Sequence, residues 1–428
     1  MRKLLSLPEG LVPVFHEIEK ADPAEWFVDS DPSGLKVGSG GGTAHLLAQD
    51  WRRNAASLKF TDYLARTKKI IIHAGGQSRR LPAYAPVGKV LTPIPVFRWS
   101  RGQKIDQTLI DLQIPLYQKV LERVGGSQNT LIASGDVLIL APQLPSVLPD
   151  VDVLCFGVWV EPKLASRHGV FFTPRESQTT LEFMLQKPSH ETLETLATKY
   201  LYQMDIGLWI LSDRAVALLM QKSGWSGESF SGGNPSFYDL YSAFGPALGS
   251  KPTVADKDLN GLSVAIVPLE GGGFYHFGPS RELISSMCKV QDLVQDQRFV
   301  WHHRIKPTPS LFVQNSLICQ TWTTEHHNIW VENSQVPATW TLSHDHVLTG
   351  MVDRSTELRL QTPDYTFGCT GKRFPCRPRA PRSHGRNRLK PTLRPSFGHY
   401  QSSLRADQRP NVFEAVARRE HRSTSRRA

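Results

Sequence analysis

The sequence predicts an α/β fold: a Rossmann-like, mostly parallel sheet flanked by helices, followed by a partial parallel β-helix and a basic tail. Short apolar runs typical of buried strands alternate with segments of helical period over the first 300 residues. A short pattern then recurs at an offset of 18 residues, and beyond about residue 365 the apolar pattern stops. We therefore expect three regions, at residues 1–300, 301–362 and 363–428.

The glycine-rich run Gly38–Thr43 is the first feature suited to an anion. We expect a loop here, followed by a helix from Ala44 to about Asn54, because backbone amides above a helix N-terminus attract negative charge. A simple structural turn is the alternative interpretation.

A second glycine pair follows the apolar run Ile70–Ile72, which predicts a short buried strand. Glycines let backbone amides approach an oxyanion, and the arginines and lysine beyond them supply charge for several phosphates. The segment therefore suits a nucleoside triphosphate, and a turn that merely requires glycine is the structural alternative. Its candidate phosphate-binding residues are Gly75, Gly76, Gln77, Ser78, Arg79, Arg80 and Lys89.

Two well-known phosphate loops do not fit this segment. Gly88-Lys89 is followed by Val90 rather than Ser or Thr, and Ala83 stands where a P-loop has its first glycine. The dinucleotide fingerprint lacks its third glycine and its acidic ribose ligand. The pattern that does fit is the G-G-x-S/G-x-R…K signature of sugar-1-phosphate nucleotidyltransferases.

Alternating elements continue beyond Lys89. The sequence predicts helices over about 108–124 and 212–222, the second capped by Ser212, and strands at 130–133, 151–160 and 204–211. We expect the candidate site residues near the carboxyl ends of parallel strands. Asp136 follows one such strand and a Ser-Gly turn, so it is the candidate Mg²⁺ ligand, with a simple Asx turn as the alternative.

Two further candidates lie later in this region. Lys187 precedes Pro188, which restricts it to extended backbone. Asp205 stands inside an apolar strand, where an uncompensated charge would be costly, and therefore needs a partner.

Six ordered motifs, spread over about 360 residues, resemble the GDP-L-fucose pyrophosphorylase family, also called L-fucose-1-phosphate guanylyltransferases. In some members this unit precedes a fucokinase, for which we expect the 428 residues to be too few. The matching segments are Gly38–Thr43, His73–Lys89, Ala133–Asp136, Leu185–Pro188, Met204–Gly207 and Phe274–Gly278.

The resemblance implies a nucleotidyltransferase-type, GT-A-like fold and transfer of GMP from GTP to L-fucose 1-phosphate, with Mg²⁺ as cofactor. Late in the sequence, relatives carry an acidic metal ligand in a W-x-D-x-G pattern, where this chain has His276. The implied catalytic residues are Arg79, Arg80, Lys89 and Lys187. The implied nucleotide-binding residues are Gly40, Gly41, Gly75, Gly76, Gln77, Ser78 and Gln107, with Gln113 as an alternative base contact. The implied sugar-phosphate-binding residues are His168, Gly169, Lys187, Asp205 and Gly207, and the implied metal ligand is Asp136.

The 18-residue repeat joins Phe312–Ser316 to Trp330–Ser334, with Val347–Gly350 near the next multiple. Such spacing favours coils of a parallel β-helix, which the resemblance also implies, and a pair of hairpins is the alternative. We expect this β-helix to be cut short. Three histidine clusters in the region fit no standard zinc spacing and are expected to be exposed loop residues. They are His302-His303, His326-His327 and His344-Asp345-His346.

The net charge of +11 resides in the tail. Residues 369–428 hold 16 Lys and Arg against 3 Asp and Glu, whereas the rest of the chain holds 34 against 36. Such a segment is expected to be disordered. We hypothesise that it is a non-native, out-of-frame ending, and a real basic tail that binds nucleic acid is the alternative.

The five cysteines are scattered and lack metal spacing, which favours a reducing compartment. There is no apolar run of about 18 residues, so no membrane contact is expected, and the predicted location is cytoplasmic. Other base or sugar specificity and a catalytically inactive nucleotide-binding relative are alternative functions. No specific nucleic-acid partner is expected, and the oligomeric state is not predicted.

Overall fold

The computed structural model describes residues 1–76, 78–94, 107–292, 310–320, 322–323, 325–351 and 360, and the backbone of 365–369 and 372–376. It divides the chain into compact units 1–378 and 379–428, and every described residue lies in the first. The predicted disordered tail, 363–428, forms strands where it is described, at Tyr365–Cys369 and Lys372–Cys376, contrary to that expectation. The rest of the tail lies outside the described residues, as do Gln77 and His302-His303.

Across the described residues the α-helices are α1 Val12–Glu19, α2 Gly38–Asn54, α3 Phe60–Arg66, α4 Leu109–Glu122, α5 Pro162–Ala165, α6 His190–Ala197, α7 Asp213–Lys222 and α8 Ser280–Asp292. The strands up to the last helix are β1 Arg2–Ser6, β2 Trp26–Asp29, β3 Lys69–His73, β4 Thr130–Ser134, β5 Val137–Leu140, β6 Val153–Val158, β7 Gly169–Pro174, β8 Phe183–Gln186, β9 Tyr200–Leu211, β10 Val264–Pro268 and β11 Gly273–His276. The later strands are β12 Leu311–Gln314, β13 Leu317–Ile318, β14 Ile329–Glu332, β15 Gln335–Val336, β16 His346–Thr349, β17 Tyr365–Cys369 and β18 Lys372–Cys376.

A nine-stranded sheet organises the chain as far as β10. Its order is β10-β6-β9-β4-β3-β1-β2, with β7 paired to β9 and β8 to β7. Strands β2, β1, β3 and β4 are parallel, as are β10 and β6, but β9 runs antiparallel to β4, β6 and β7. Seven of the nine strands thus point the same way, which agrees with a mostly parallel sheet, and β8 and β9 point the opposite way, so the sheet is mixed. Apolar periodicity reports which faces of a strand are buried, and it carries no information on strand direction.

Helices cover both faces of this sheet. On one face α2 and α7 pack through residues such as Leu47 and Leu219, and on the other α1 and α4 pack through Phe15 and Tyr117. The first strand is buried between these layers, since Leu4 and Leu5 belong to opposite cores and are both fully buried. This three-layer packing holds the carboxyl ends of β3 and β4 in fixed positions.

The ends of two helices follow their sequence signals. Thr108 and Asp111 form a reciprocal capping box at the start of α4. The Ser212 hydroxyl accepts the Ala215 amide at 3.1 Å, which confirms the predicted N-cap of α7.

Helix α2, in contrast, begins six residues earlier than predicted, because the run from Gly38 is helical rather than a loop. A side chain at Gly40 would place its Cβ 2.8 Å from the Tyr238 ring, and one at Gly41 would lie 2.9 Å from the Ser236 carbonyl oxygen. The glycines therefore permit close packing of this helix.

The later strands stack in parallel. Strand β12 pairs with β14 at the predicted offset, Phe312 opposite Trp330, and β14 pairs with β16 and β16 with β17. The short strands β13 and β15 form a second parallel pair, whereas β18 is antiparallel to β17. We call residues 310–351 the stacked-strand region. A β-helix over the whole of 301–362 stays a prediction, since much of that range lies outside the described residues.

None of the helices in the described part of the chain combines the length and the apolar character that crossing a bilayer requires.

Candidate active site

A cavity of about 300 Å³ lies at the edge of the sheet where β4 ends and β9 passes. It is polar and collects residues from distant parts of the sequence. The predicted site residues that line it are Arg80, Asp136, His168, Gly169, Lys187, Asp205 and Gly207. Lining residues that the sequence did not single out as ligands include Ser134, Arg167, Gln186, Tyr241, Phe274 and His276.

Asp136 is held by the tight turn that follows β4. The Ser134 hydroxyl donates to its Oδ1 at 2.9 Å. The buried Gln113 amide donates to the carbonyls of Ser134, at 3.2 Å, and of Val137, so it clamps both ends of the turn. Gln113 therefore supports the turn from inside the protein. This role differs from the contact with the nucleotide base that was considered for it.

Two cations meet the Asp136 carboxylate. Lys89 Nζ lies 3.0 Å and His276 Nε2 lies 3.5 Å from Asp136 Oδ2, and His276 Nδ1 lies 2.5 Å from Glu282 Oε2. Burial opposes ionisation of Asp136, but His276 and Lys89 outweigh it and hold its pKa well below the usual range. Burial likewise opposes the charge of His276, but Asp136 and Glu282 raise its pKa to about 9. At neutral pH these groups form an ionised chain from Glu282 to Lys89.

The segment after β3 approaches this chain from the side. Gly75 and Gly76 are exposed, and Ser78 is buried with φ +47°. Arg80 lines the cavity, and its carbonyl accepts the Ser280 amide at 2.7 Å from the start of α8. Arg79 is exposed and is absent from the described lining of the cavity.

Lys187 adopts a backbone conformation that differs from the prediction. Its φ is +50°, in the left-handed region, although Pro188 was expected to hold it extended. The Lys187 amide donates to the His168 carbonyl at 2.9 Å, which joins it to the chain before β7. A side chain at neighbouring Gly169 would lie 2.6 Å from Met184 Cε, so glycine lets β7 and β8 close around the cavity.

Asp205 has the partners that its burial requires. Its Oδ1 accepts the Trp209 indole N–H at 3.0 Å and the Gly207 amide at 2.8 Å. Burial nevertheless raises its pKa to about 6. Gly207, with φ +70°, turns the backbone beside Ser134. Because β9 runs antiparallel, Asp205 lies inside its strand, and it reaches the site because β9 extends past the carboxyl end of β4.

Aromatic rings form one wall of the cavity. The His168 ring meets Phe274 edge-on at 5.2 Å between centroids and His276 at 5.9 Å. Burial and the neighbouring His276 charge lower the pKa of His168 to about 4, so it is a neutral ring at physiological pH.

Other predicted nucleotide-binding residues lie away from this lining. Gln107 is 2% exposed, and its side-chain amide donates to the Ile94 carbonyl at 3.1 Å. The hydrogen bond links the chain at residue 107 to the chain at residue 94. The Gly41 amide donates to the Tyr238 carbonyl at 3.0 Å. Thr43, one turn along α2, contacts His73 Nε2 at 2.8 Å, which places this helix beside the end of β3. Nucleotide contact by Gly40, Gly41 and Gln107 stays a prediction.

Sequence comparison finds similar proteins. Residues 61–221 match the fucose pyrophosphorylase domain. The chain is 48% identical over 358 residues to an L-fucokinase/L-fucose-1-P guanylyltransferase of Bacteroides fragilis, covering 84% of this chain and 37% of that protein. It is 27% identical over 184 residues to a bifunctional fucokinase/GDP-fucose pyrophosphorylase of Arabidopsis thaliana (38% and 17% covered). It is 31% identical over 93 residues to a fucose-1-phosphate guanylyltransferase of Mus musculus (22% and 14% covered). The match thus spans less than two-fifths of each relative's length, and the predicted resemblance is confirmed.

Proposed function

We propose that this chain, whose residues 61–221 match the fucose pyrophosphorylase domain, is a nucleotidyltransferase that makes GDP-L-fucose and pyrophosphate from GTP and L-fucose 1-phosphate. The observation that carries the proposal is the cavity itself. Arg80, Lys187 and ionised Asp136 line it, and Lys89 is in contact with Asp136. Two polyanionic substrates require such a concentration of positive charge around one carboxylate.

The reaction does not require a strong general base. A phosphate oxygen of L-fucose 1-phosphate forms a bond to the α-phosphorus of GTP, and the bond from that phosphorus to the bridging oxygen of pyrophosphate breaks. The nucleophile is already an anion, so catalysis consists of bringing two anions together and stabilising charge on the leaving group.

The chain's own residues divide this work. Lys89 and Arg80, with Arg79, contact the triphosphate and stabilise the charge that develops on pyrophosphate. Lys187 holds and aligns the sugar phosphate. Asp205 and Gly207 at the far side of the cavity bind the sugar, together with His168 and Gly169.

We propose Mg²⁺ as the cofactor and Asp136 as the protein ligand that would hold it. The donor chemistry fits, because Asp136 is ionised, lies in the cavity and offers oxygen, and Mg²⁺ in nucleotide sites uses one or two carboxylates plus phosphate oxygens and water. His276 stands at the position of the second acidic ligand of relatives. A protonated imidazole donates hydrogen bonds and does not coordinate, so His276 is left out of the proposed ligand set. The ion would neutralise triphosphate charge.

A cytoplasmic location is part of the proposal. It is supported by the scattered cysteines and by the free thiols of Cys155, Cys288 and Cys319 among the described residues.

The decisive test is pyrophosphate release by the full-length chain. Four nucleoside triphosphates are each combined with L-fucose 1-phosphate and other sugar 1-phosphates, with Mg²⁺ or with a chelator. We expect release with GTP and L-fucose 1-phosphate, abolished by the chelator. A different preferred pair would revise the specificity. No release with any pair from protein that binds GTP would favour a catalytically inactive relative.

A further inference from the structure

Three side chains in the stacked-strand region form a cluster that sequence spacing did not predict. His327, His344 and Asp345 each offer a ligand atom, and these atoms lie within 4.8 Å of one another. They are half-buried and lie apart from the cavity lining. The sequence predicted exposed loop residues that bind no metal here. The three side chains become neighbours only in the folded chain.

The parallel pairing of strands creates the cluster. Ile329 of β14 lies opposite His346 of β16, so the two turns that precede these strands lie one above the other. The Asp345 amide donates to the His327 carbonyl at 3.1 Å. Residues 17 or 18 apart thereby become neighbours, a relation that zinc motifs with short spacing do not contain.

The ligand atoms are close enough for a shared ion. The His327 and His344 rings stack with centroids 4.5 Å apart and planes at 11°, so one ring must rotate before both nitrogens can point at the same ion. His344 Nδ1 lies 2.5 Å from Asp345 Oδ2, and the Asn328 amide donates to Asp345 Oδ1 at 2.9 Å. The carboxylate is therefore oriented by a neighbour of its own, which is typical of ligands that are supported by an outer shell.

The neighbouring histidines have other tasks. His326 Nδ1 accepts the Thr323 amide at 3.1 Å, and His346 Nε2 accepts the Ser343 amide at 3.1 Å. Both close their own turns. This separates them from His327 and His344, whose rings face each other.

We propose that His327, His344 and Asp345 bind a divalent first-row transition metal, Zn²⁺ in the first instance, which fastens the two stacked turns together. Two imidazoles and one carboxylate are a donor set that zinc accepts, with water completing four ligands. A neutral imidazole binds the ion through the nitrogen that carries no proton, and an imidazole that is protonated beforehand releases one proton to solvent. The site is independent of the proposed guanylyltransferase activity, and Mg²⁺, which prefers oxygen, does not fill it.

The test uses chelator-treated, full-length protein and added Zn²⁺. Calorimetry or competition with a chromogenic chelator measures affinity, and thermal melting measures the stability gained on binding. We expect one zinc ion per chain at this site and a higher melting temperature with zinc. His344→Ala and His327→Gln should each weaken binding at least as much as loss of an outer-shell partner does, about 10- to 100-fold. His190→Ala is the matched control, since His190 also has a carboxylate neighbour, Glu194 at 3.2 Å, but only that one.

Two results would overturn the site: folded wild-type protein that takes up no zinc, or equal zinc affinity in the wild type, His344→Ala and His327→Gln. Two different variants are used because His344→Ala also removes the contact with Asp345, whereas His327→Gln keeps that contact and removes one ligand. Pyrophosphate release should be unchanged in both, so failure here is distinguishable from failure of the proposed enzyme function.

Discussion

Two acidic side chains lie at opposite ends of the parallel strands of one sheet, and their surroundings differ. Asp50 packs beside the amino end of β1, where Arg2 donates to it at 2.7 Å and Tyr63 at 2.8 Å. Asp136 follows the carboxyl end of β4, where Lys89 and His276 meet it. The cavity beside Asp50 is the larger, about 430 Å³ against about 300 Å³. Cavity size alone would therefore favour the end opposite to the proposed site.

The difference lies in what each carboxylate leaves for a ligand. Asp50 is 1% exposed, and nearby Lys69 donates to the backbone carbonyls of Tyr63, Leu64 and Thr67, so these charges serve the fold. The Asp136 side chain is 22% exposed, and Arg80, Arg167 and Lys187 line the same cavity. A functional carboxylate here is marked by access and by surplus positive charge. Partners alone do not mark it, because both carboxylates have them.

Among the variants that test this comparison, Asp136→Asn should have the largest effect. The amide still accepts the Ser134 hydrogen bond but carries no charge for a metal or for Lys89. We expect the turnover of pyrophosphate release to fall about 10²- to 10³-fold, the size of losing one preorganised electrostatic group. Circular dichroism should show a folded protein. A wild-type rate would remove Asp136 from the proposed mechanism.

Asp50→Asn should give the opposite pattern. It breaks a buried ion pair, which costs about 3 kcal/mol of unfolding free energy. Chemical denaturation measures this loss, while the rate per folded molecule should stay at the wild-type value. If the rate falls and the stability does not, the two ends have been assigned the wrong way round.

Lys89→Ala tests the cation of the same pair. Loss of transition-state charge should lower turnover about 10²-fold with little effect on the melting temperature. Lys163→Ala, at an exposed lysine in α5, is the control and should behave as wild type. Unchanged steady-state rates in the Lys89 variant would contradict its role.

The pH dependence of stability sharpens the comparison. His276 has a folded-state pKa of about 9, above its ordinary value, so its stabilising effect is complete below about pH 6.5 and is lost as pH rises through about 9. We expect the stability difference between wild type and His276→Gln to shrink by about 3 kcal/mol between pH 6 and pH 10. Denaturant titrations in chelator measure it, with the exposed His190→Gln as control. A difference that does not change with pH would contradict the ionised chain.

The smallest expected effect concerns Lys187. Its left-handed backbone costs a non-glycine residue about 1 kcal/mol, so Lys187→Gly should raise the unfolding free energy by about that amount. Activity should fall, because the amine is gone. Lys187→Ala should lose the same activity without the gain in stability, and equal stability of the two variants would show that the backbone there is unstrained.

Local signals and the family resemblance predicted residues that the structure brings together. Asp136 was predicted from a strand end, Gly169 and Lys187 were predicted from the resemblance, and all three line one cavity. The relations that were missed depend on tertiary contacts. The contact between His276 and Asp136 forms only when the end of β11 meets the turn after β4, and no spacing in the sequence indicates it.

The same reason explains the other differences. The direction of β9 follows from how the chain returns after α6, and the helical start of α2 follows from packing against 236–238, so neither is visible in periodicity. Relatives carry an acidic metal ligand at the position where this chain has His276. What the histidine contacts could be learned only from the fold.

Gly135 has a consequence for the whole edge of the sheet. Its amide donates to the His73 carbonyl at 2.9 Å, and a Cβ at this position would come within 2.8 Å of Ala74 Cβ and 2.9 Å of Val90 Cγ1. One absent methyl group thus lets the loop after β3 and the loop after β4 touch through their main chains. The distance between the two loops is then set by backbone contacts, so side chains around them, such as the one at 276, can differ between acid and base without changing that distance.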